Sequence, residues 1–347
     1  MAKDKCHQHR RSYKTFNYPG SIPGGKNLLT GVRGVKSRKV KKNKVYISGF
    51  YNPAPNQPDQ QVKSFVYKGC LCGKGKWYEL YYPQTGTQVQ VTNLYGPNNG
   101  PKKGTIQVVG NYVNNSNVPI GCLYEGPLNG SGKWTSLVPV FPKEQTDVLG
   151  VIAHSNMGGL VVGNYDTQID EGKAFIYDIK KKVYHKIIKS DTLSITAYGI
   201  WHNGGNSYTI CGGYKPALGV NFSEASYLVD WNNKTKKLSN WKTYHYNNDP
   251  VRSRITHFDG ITGTKCGYNL TGDWLGVDEG PELAFFASVK RDKCNRKFKR
   301  AKWESIKYPL KGNSFNTVTS GNTVYETTVI GVYSTPVSVN GYIAKRK

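Results

Sequence analysis

A Gly-x-aromatic triplet recurs six times along the chain, each time behind a short apolar run: Gly49-Phe50-Tyr51, Gly110-Asn111-Tyr112, Gly163-Asn164-Tyr165, Gly212-Gly213-Tyr214, Gly272-Asp273-Trp274 and Gly331-Val332-Tyr333. The spacings of 61, 53, 49, 60 and 59 residues define a repeat, and a repeat of this period restricts the fold to an array of one supersecondary unit. Two further markers keep the same order. A small residue and an apolar run follow each triplet, as in Ser64-Phe65-Val66-Tyr67, Ala174-Phe175-Ile176-Tyr177 and Gly341-Tyr342-Ile343. A third strand then opens on Trp77, Trp134, Tyr184, Trp241 or Trp303, and a fourth precedes the next triplet.

The sixth repeat ends with the chain, after its second marker. The segment Arg11-Ser12-Tyr13-Lys14-Thr15-Phe16-Asn17-Tyr18-Pro19 has the form of the missing aromatic-led strand. Joining the two ends closes a ring and leaves no unpaired edge, which an open solenoid would have to cap. The expected fold is all-β: a six-bladed β-propeller of four-stranded blades, the last blade completed by the N-terminal strand. Residues 1–347 are expected to form this one domain, with a basic extension over 1–10.

The succession of YKTFNYPG, ITAYGI, VVGNY and KAFIYD segments resembles the HAF repeat of bacterial "extracellular repeat" proteins, and the strand order is similar to that of kelch blades. The resemblance covers nearly the whole chain and implies a propeller, not an activity. Kelch order implies innermost strands over roughly 29–35, 88–96, 147–154, 194–202, 253–261 and 316–324, with the aromatic-led strands outermost.

Lys and Arg total 48 against 22 Asp and Glu, a formal charge of +26 over 347 residues. Sorting charges by the loop class that carries them places 34 basic residues and five acids on one face, against about nine and twelve on the other. The basic face draws on Lys36, Arg38, Lys39, Lys41, Lys42 and Lys44, on Lys180, Lys181 and Lys182, and on Lys234, Lys236 and Lys237. Its densest patch is Lys290, Arg291, Lys293, Arg296, Lys297, Lys299, Arg300 and Lys302, beside Lys345, Arg346 and Lys347. A charge run taken singly is ordinary solvated surface; the coincidence of runs from five blades suggests a polyanionic partner. Lys outnumbers Arg, which favours backbone contact over base reading, and no helix-turn-helix, RNP motif or zinc finger is present.

Cys6, His7 and His9 precede the last blade's outer strand, and Cys70 and Cys72 occupy the equivalent loop of the first blade. Three outcomes are open for these loops: a zinc site, a disulfide of Cys6 with Cys70 or Cys72, or free thiols. Cys122 and Cys211 lie in strand patterns and read as core. On inner strands the residues with catalytic chemistry are Arg33, His154, His202, His257 and Asp259, with Asp273 one strand out. Only Asp259 is a clear inner-strand carboxylate, where glycosidase chemistry needs two, and sialidase-type Asp boxes (Ser-x-Asp-x-Gly-x-Thr-Trp) are absent.

The function expected on this evidence is a non-enzymatic scaffold whose basic face docks without sequence specificity on a polyanion, above all nucleic acid in a virion or nucleoid. No cofactor is expected. The alternatives are a protein assembly module with an acidic protein partner or an anionic membrane, and a carbohydrate-binding or carbohydrate-active propeller. No run of about 18 apolar residues and no apolar core of a signal peptide occurs, so the expected location is intracellular or inside a virion, with no transmembrane segment.

Overall fold

The computed structural model describes residues 11–21, 24–36, 44–52, 62–83, 89–141, 147–168, 172–217, 223–278, 280–310 and 318–347. Strand pairing forms five sheets, one of eight strands, one of five and three of four, and within them the antiparallel ladders mark out successive runs, the eight-stranded sheet being two such runs joined by the parallel pair Lys26 and Val339. The first is Lys26–Gly34, Lys44–Asn52, Lys63–Cys70 and Gly75–Glu79; the second Val89–Asn99, Thr105–Asn114, Pro119–Pro127 and Lys133–Leu137. The third is Val148–Met157, Leu160–Thr167, Lys173–Asp178 and Val183–Ile187; the fourth Thr192–Gly204, Ser207–Pro216, Ala225–Asn232 and Lys237–Tyr244. The fifth has a broken inner strand, Ser253–Thr256 and Gly260–Thr264, followed by Gly267–Gly276, Leu283–Lys290 and Lys302–Ile306. The sixth is Thr319–Tyr325, Thr328–Ser334 and Val339–Arg346, finished by the N-terminal Arg11–Thr15. The inner strand of each group packs on the group before it, and Lys26–Gly34 packs on the sixth, so the ring closes. The protein is an all-β propeller, and its aromatic-led strands lie outermost. Among the described residues no helix is long and apolar enough to cross a membrane.

The triplet glycines explain the repeat. In all six blades a Cβ on this glycine would lie 1.8–2.1 Å from an inner-strand carbonyl oxygen: that of Leu28, Asn93, Ile152, Thr196, His257 or Ser320. The close approach coincides with a break in register on the inner strand, between Leu29 and Gly31, Leu94 and Pro97, Ala153 and Ser155, Ala197 and Gly199, and Ser320 and Thr323. In the fifth blade the break is wider and separates Thr256 from Gly260. A bulge leaves extra residues unpaired and re-aims their side chains. Rings on the strand that follows each triplet strand, such as Tyr67, Tyr124, Phe175, Tyr227, Phe285 and Tyr342, fill the spaces between sheets and are fully buried.

Closure rests on more than the strand ladder. The Arg11 guanidinium reaches Glu304 of the fifth blade with Nε at 2.6 Å and Nη2 at 3.1 Å, and Nη1 donates to the carbonyls of Thr327 and Ala344. Its side chain is 2% exposed and lies over the Phe286 ring, so this cation holds three strands of two blades together and is not available to the basic face.

The cysteine expectation needs correction. Cys70 and Cys72 form a disulfide with each other, Cα to Cα 5.1 Å, rather than either with Cys6. Cys6, His7 and His9 lie outside the described residues, as do Arg38, Lys39, Lys41, Lys42 and the extension 1–10. Cys122 and Cys211 are buried thiols in the core.

The glycine constraint is testable at Gly212, where the obstructing atom is the backbone oxygen of Thr196 at 1.9 Å and cannot swing aside. Gly212→Ala should lose about 3 kcal/mol or more of unfolding free energy in a denaturant titration, whereas Gly280→Ala, with nothing within 4 Å of its new methyl, should stay within about 0.5 kcal/mol. Equal stability of the two variants would remove the packing account of the repeat.

Candidate active site

The bulges deliver one layer of side chains to the central channel. Thr30, Tyr95, His154, Tyr198, Asp259 and Asn322 occupy equivalent positions, each two residues beyond the carbonyl that meets the triplet glycine. Three successive blades make an aromatic arc: the Tyr95 and His154 rings meet edge-on at 5.2 Å, and His154 meets Tyr198 at 4.7 Å. Burial lowers the His154 pKa to about 4, so the ring is neutral at neutral pH and hydrogen-bonds Asn164 Oδ1 through Nε2 at 2.6 Å. Burial likewise raises the Tyr95 hydroxyl to about 12 and Tyr198 further, the latter also through the charge of Asp259.

Beside the Tyr198 end of this arc, whose ring lies 6.0 Å from that of His257, the fourth and fifth blades gather four carboxylates and a histidine. Asp259 comes from the broken inner strand and Asp273 from the x position of the fifth triplet. Glu282 immediately precedes strand Leu283–Lys290, and Glu224 precedes strand Ala225–Asn232. His257 Nε2 lies 2.8 Å from Glu224 Oε2, and that hydrogen bond, opposed by burial, holds the Glu224 carboxyl below its ordinary pKa.

Asp259 and Asp273 behave differently from Glu224. Both are enclosed by the strands yet keep partial contact with solvent. Burial raises Asp259 well above the usual carboxylate range, and the neighbouring charges of Asp273 and Glu282 push it further. Burial and Glu282 raise Asp273 as well, but it stops at about 7 because the Gly321 N–H donates to Oδ1 at 2.7 Å and the Ser320 hydroxyl to Oδ2 at 2.8 Å. Burial raises Glu282 too. No hydrogen bond engages the Asp259 carboxyl among the described residues. The first proton therefore belongs to Asp259, and Asp273 is the carboxyl whose charge is supported by donors from the next blade.

The sequence singled out His257, Asp259 and Asp273, which the structure brings together, and His154, which it places farther along the same wall, between Tyr95 and Tyr198. His202 lies elsewhere, stacked on Tyr208 with Nε2 2.9 Å from the Gly205 carbonyl. Arg33 is at the other end of the inner strands, over the Trp201 ring. Glu224 and Glu282 were not singled out. Their signal was an acid at a near-constant offset, one or two residues ahead of the small residue that opens the third strand, in two adjacent blades.

The basic residues divide by environment. Lys36, Lys44, Lys180, Lys181, Lys182, Lys234, Lys237, Lys290, Lys293, Arg296, Lys297, Lys299, Arg300, Lys302, Lys345 and Lys347 are exposed, while Arg346 is half-buried. Arg291 is a correction: its side chain is 8% exposed, pairs with both oxygens of Asp230, and donates to Thr209 at 2.9 Å and Tyr268 at 3.1 Å. Lys236 is also engaged, 3.8 Å from Asp178 and 2.6 Å from Asn233 Oδ1. Neither is a free surface cation.

No protein-family model matches the chain, and no curated protein does. Among solved structures it is similar to the Trypanosoma rangeli sialidase in complex with sialic acid, with a TM-score of 0.54 at 8% identity over 96% of this chain and 57% of that one. The chain thus spans a little over half the length of that sialidase chain. It is also similar to a Penicillium chrysogenum alpha-L-arabinanase complexed with arabinobiose, with a TM-score of 0.48, 14% identity, and 96% and 98% of the two chains covered. These likenesses are of fold. The expectation of a non-enzymatic scaffold on nucleic acid, in a virion or nucleoid and without catalytic residues, is corrected: a propeller that the chain resembles at a TM-score of 0.54 is a sialidase in complex with sialic acid, and the chain's own fifth blade brings Asp259 and Asp273 together as the carboxylate pair the sequence reading lacked.

The raised carboxyls make stability depend on pH with a defined sign. Asp273 favours its protonated form on folding, so its stabilising contribution is complete below about pH 4 and is lost as pH rises through about 7. Asp273→Asn, which keeps an acceptor for Gly321, should therefore gain on wild type between pH 5 and 8 by about 2 to 3 kcal/mol in parallel denaturant titrations. A constant difference between the two proteins across that range would show that Asp273 is an ordinary carboxylate.

Proposed function

We propose that the protein is a glycoside hydrolase acting on a neutral glycan in the channel mouth. The observation that carries this reading is the Asp259 and Asp273 pair, two carboxyls in one channel whose surroundings separate their protonation. Asp259 keeps its proton and has free oxygens, which suits the acid that protonates the departing glycosidic oxygen. Asp273, ionised above about pH 7 and held by Gly321 and Ser320, suits the carboxylate that activates water or stabilises positive charge at the anomeric carbon. The aromatic arc supplies apolar ring surface against which a sugar can pack. Glu224 stays ionised beside His257, so the mouth carries negative charge and disfavours anionic sugars.

The test is a panel of 4-nitrophenyl glycosides with furanoside and pyranoside sugars, assayed from pH 5 to 10, with a sialoside as the anionic comparison. Turnover of a neutral glycoside is expected, rising with pH through about 7 as Asp273 ionises and falling again where Asp259 loses its proton. Asp259→Asn and Asp273→Asn should each reduce kcat at least about a hundredfold while leaving the protein folded. Turnover unaffected by either substitution, or no turnover of any neutral glycoside, would overturn the reading.

A further inference from the structure

The chain treats its buried arginines in two ways. Arg11 and Arg291 each fork onto a carboxylate, Glu304 and Asp230. Arg33, on the inner strand of the first blade, has no such partner. Its Nε is buried without an acceptor, and no ion pair or hydrogen bond engages the guanidinium among the described residues. Its one close neighbour of note is the face of Trp201, 5.4 Å away on the fourth blade. Burial alone lowers its pKa, to about 10, so the group stays charged at neutral pH. A charge removed from water without a counter-charge is costly, and the two other buried arginines show that this sequence can supply counter-charges where they are needed.

We propose that Arg33 and Trp201 form a binding site for a small oxyanion, a carboxylate or a phosphate, at the end of the channel opposite the catalytic carboxyls. The two Nη groups, neither of them covered as Nε is, present donors that match two oxygens of such an anion, and the Trp201 face holds the guanidinium plane from behind. Beyond Arg33 the strand ends at Gly34 and the chain continues through Val35 to the exposed Lys36, the first residue of the basic loop series, where the positive field concentrates anions. Arg33 and Trp201 lie three residues beyond Thr30 and Tyr198 on the same strands, past the layer that holds Asp259, so anion binding and sugar chemistry occupy different levels of the channel.

The experiment titrates acetate and inorganic phosphate against the full chain at constant ionic strength, replacing chloride, and reads tryptophan fluorescence and the thermal midpoint. At least one of the two anions should produce a saturable change in both signals, and Arg33→Gln should weaken binding about tenfold or more. Without added oxyanion, Arg33→Gln should melt at the wild-type temperature or above it, because an uncompensated charge has been removed. Trp201→Phe should lose the fluorescence response and keep the thermal one. An identical response in wild type and Arg33→Gln would assign the effect to surface lysines, and no saturable response to either anion would leave Arg33 a hydrated charge; each outcome overturns the proposal. None of these readouts uses glycoside turnover, so failure here and failure of the hydrolase reading are distinguishable.

Discussion

The six triplet glycines leave no room for a side chain, because an inner-strand carbonyl stands 1.8–2.1 Å from the place a Cβ would take. That close approach accompanies the interruption of the inner strand, and the interruption turns Thr30, Tyr95, His154, Tyr198, Asp259 and Asn322 toward the channel. The fold and the site therefore share one cause. In five blades the bulge delivers a neutral side chain; in the fifth, where the break spans three residues, it delivers a histidine and an aspartate. Asp273, at the x position of the same blade's triplet, sits next to that break, with the His257 amide bonded to its carbonyl at 3.0 Å. The carboxylate pair is a local elaboration of a device repeated around the ring.

How much of this could be read from the sequence depends on how local each cause is. The glycine requirement recurs at one position per unit, so the six triplets and the missing strand at Arg11–Thr15 gave the ring its outline. His257, Asp259 and Asp273 were visible as unusual residues at repeat positions. Their convergence with Glu224 and Glu282 was not, because it joins two blades through loops whose direction no spacing fixes. Individual pairings were hidden from charge sorting for a similar reason: Arg291 finds Asp230 61 residues away, and Arg11 finds Glu304 293 residues away. A sequence shows a run of basic residues but not which of them the fold has already neutralised.

The remaining charge has a spatial logic of its own. A chain of net charge +26 nevertheless collects four carboxyls at one end of its channel and leaves an unpaired guanidinium at the other. At the carboxyl end, donors from Gly321 and Ser320 and the ring of His257 stabilise some negative charges and leave Asp259 without help. That inequality separates the protonation of neighbouring acids, a requirement of acid and base catalysis with two carboxyls. Neutral His154 and un-ionised Tyr95 and Tyr198 complete a wall that adds no competing charge.

The most direct test of this account is a carboxyl carbon NMR titration of protein labelled at the aspartate side chains, with Asp259 and Asp273 assigned by substitution. The account predicts one resonance with a midpoint near pH 7, lost in Asp273→Asn, and a second that titrates at higher pH, lost in Asp259→Asn. If both carboxyls titrated below about pH 5, like ordinary surface aspartates, the channel would hold no retained proton and the central claim would be wrong.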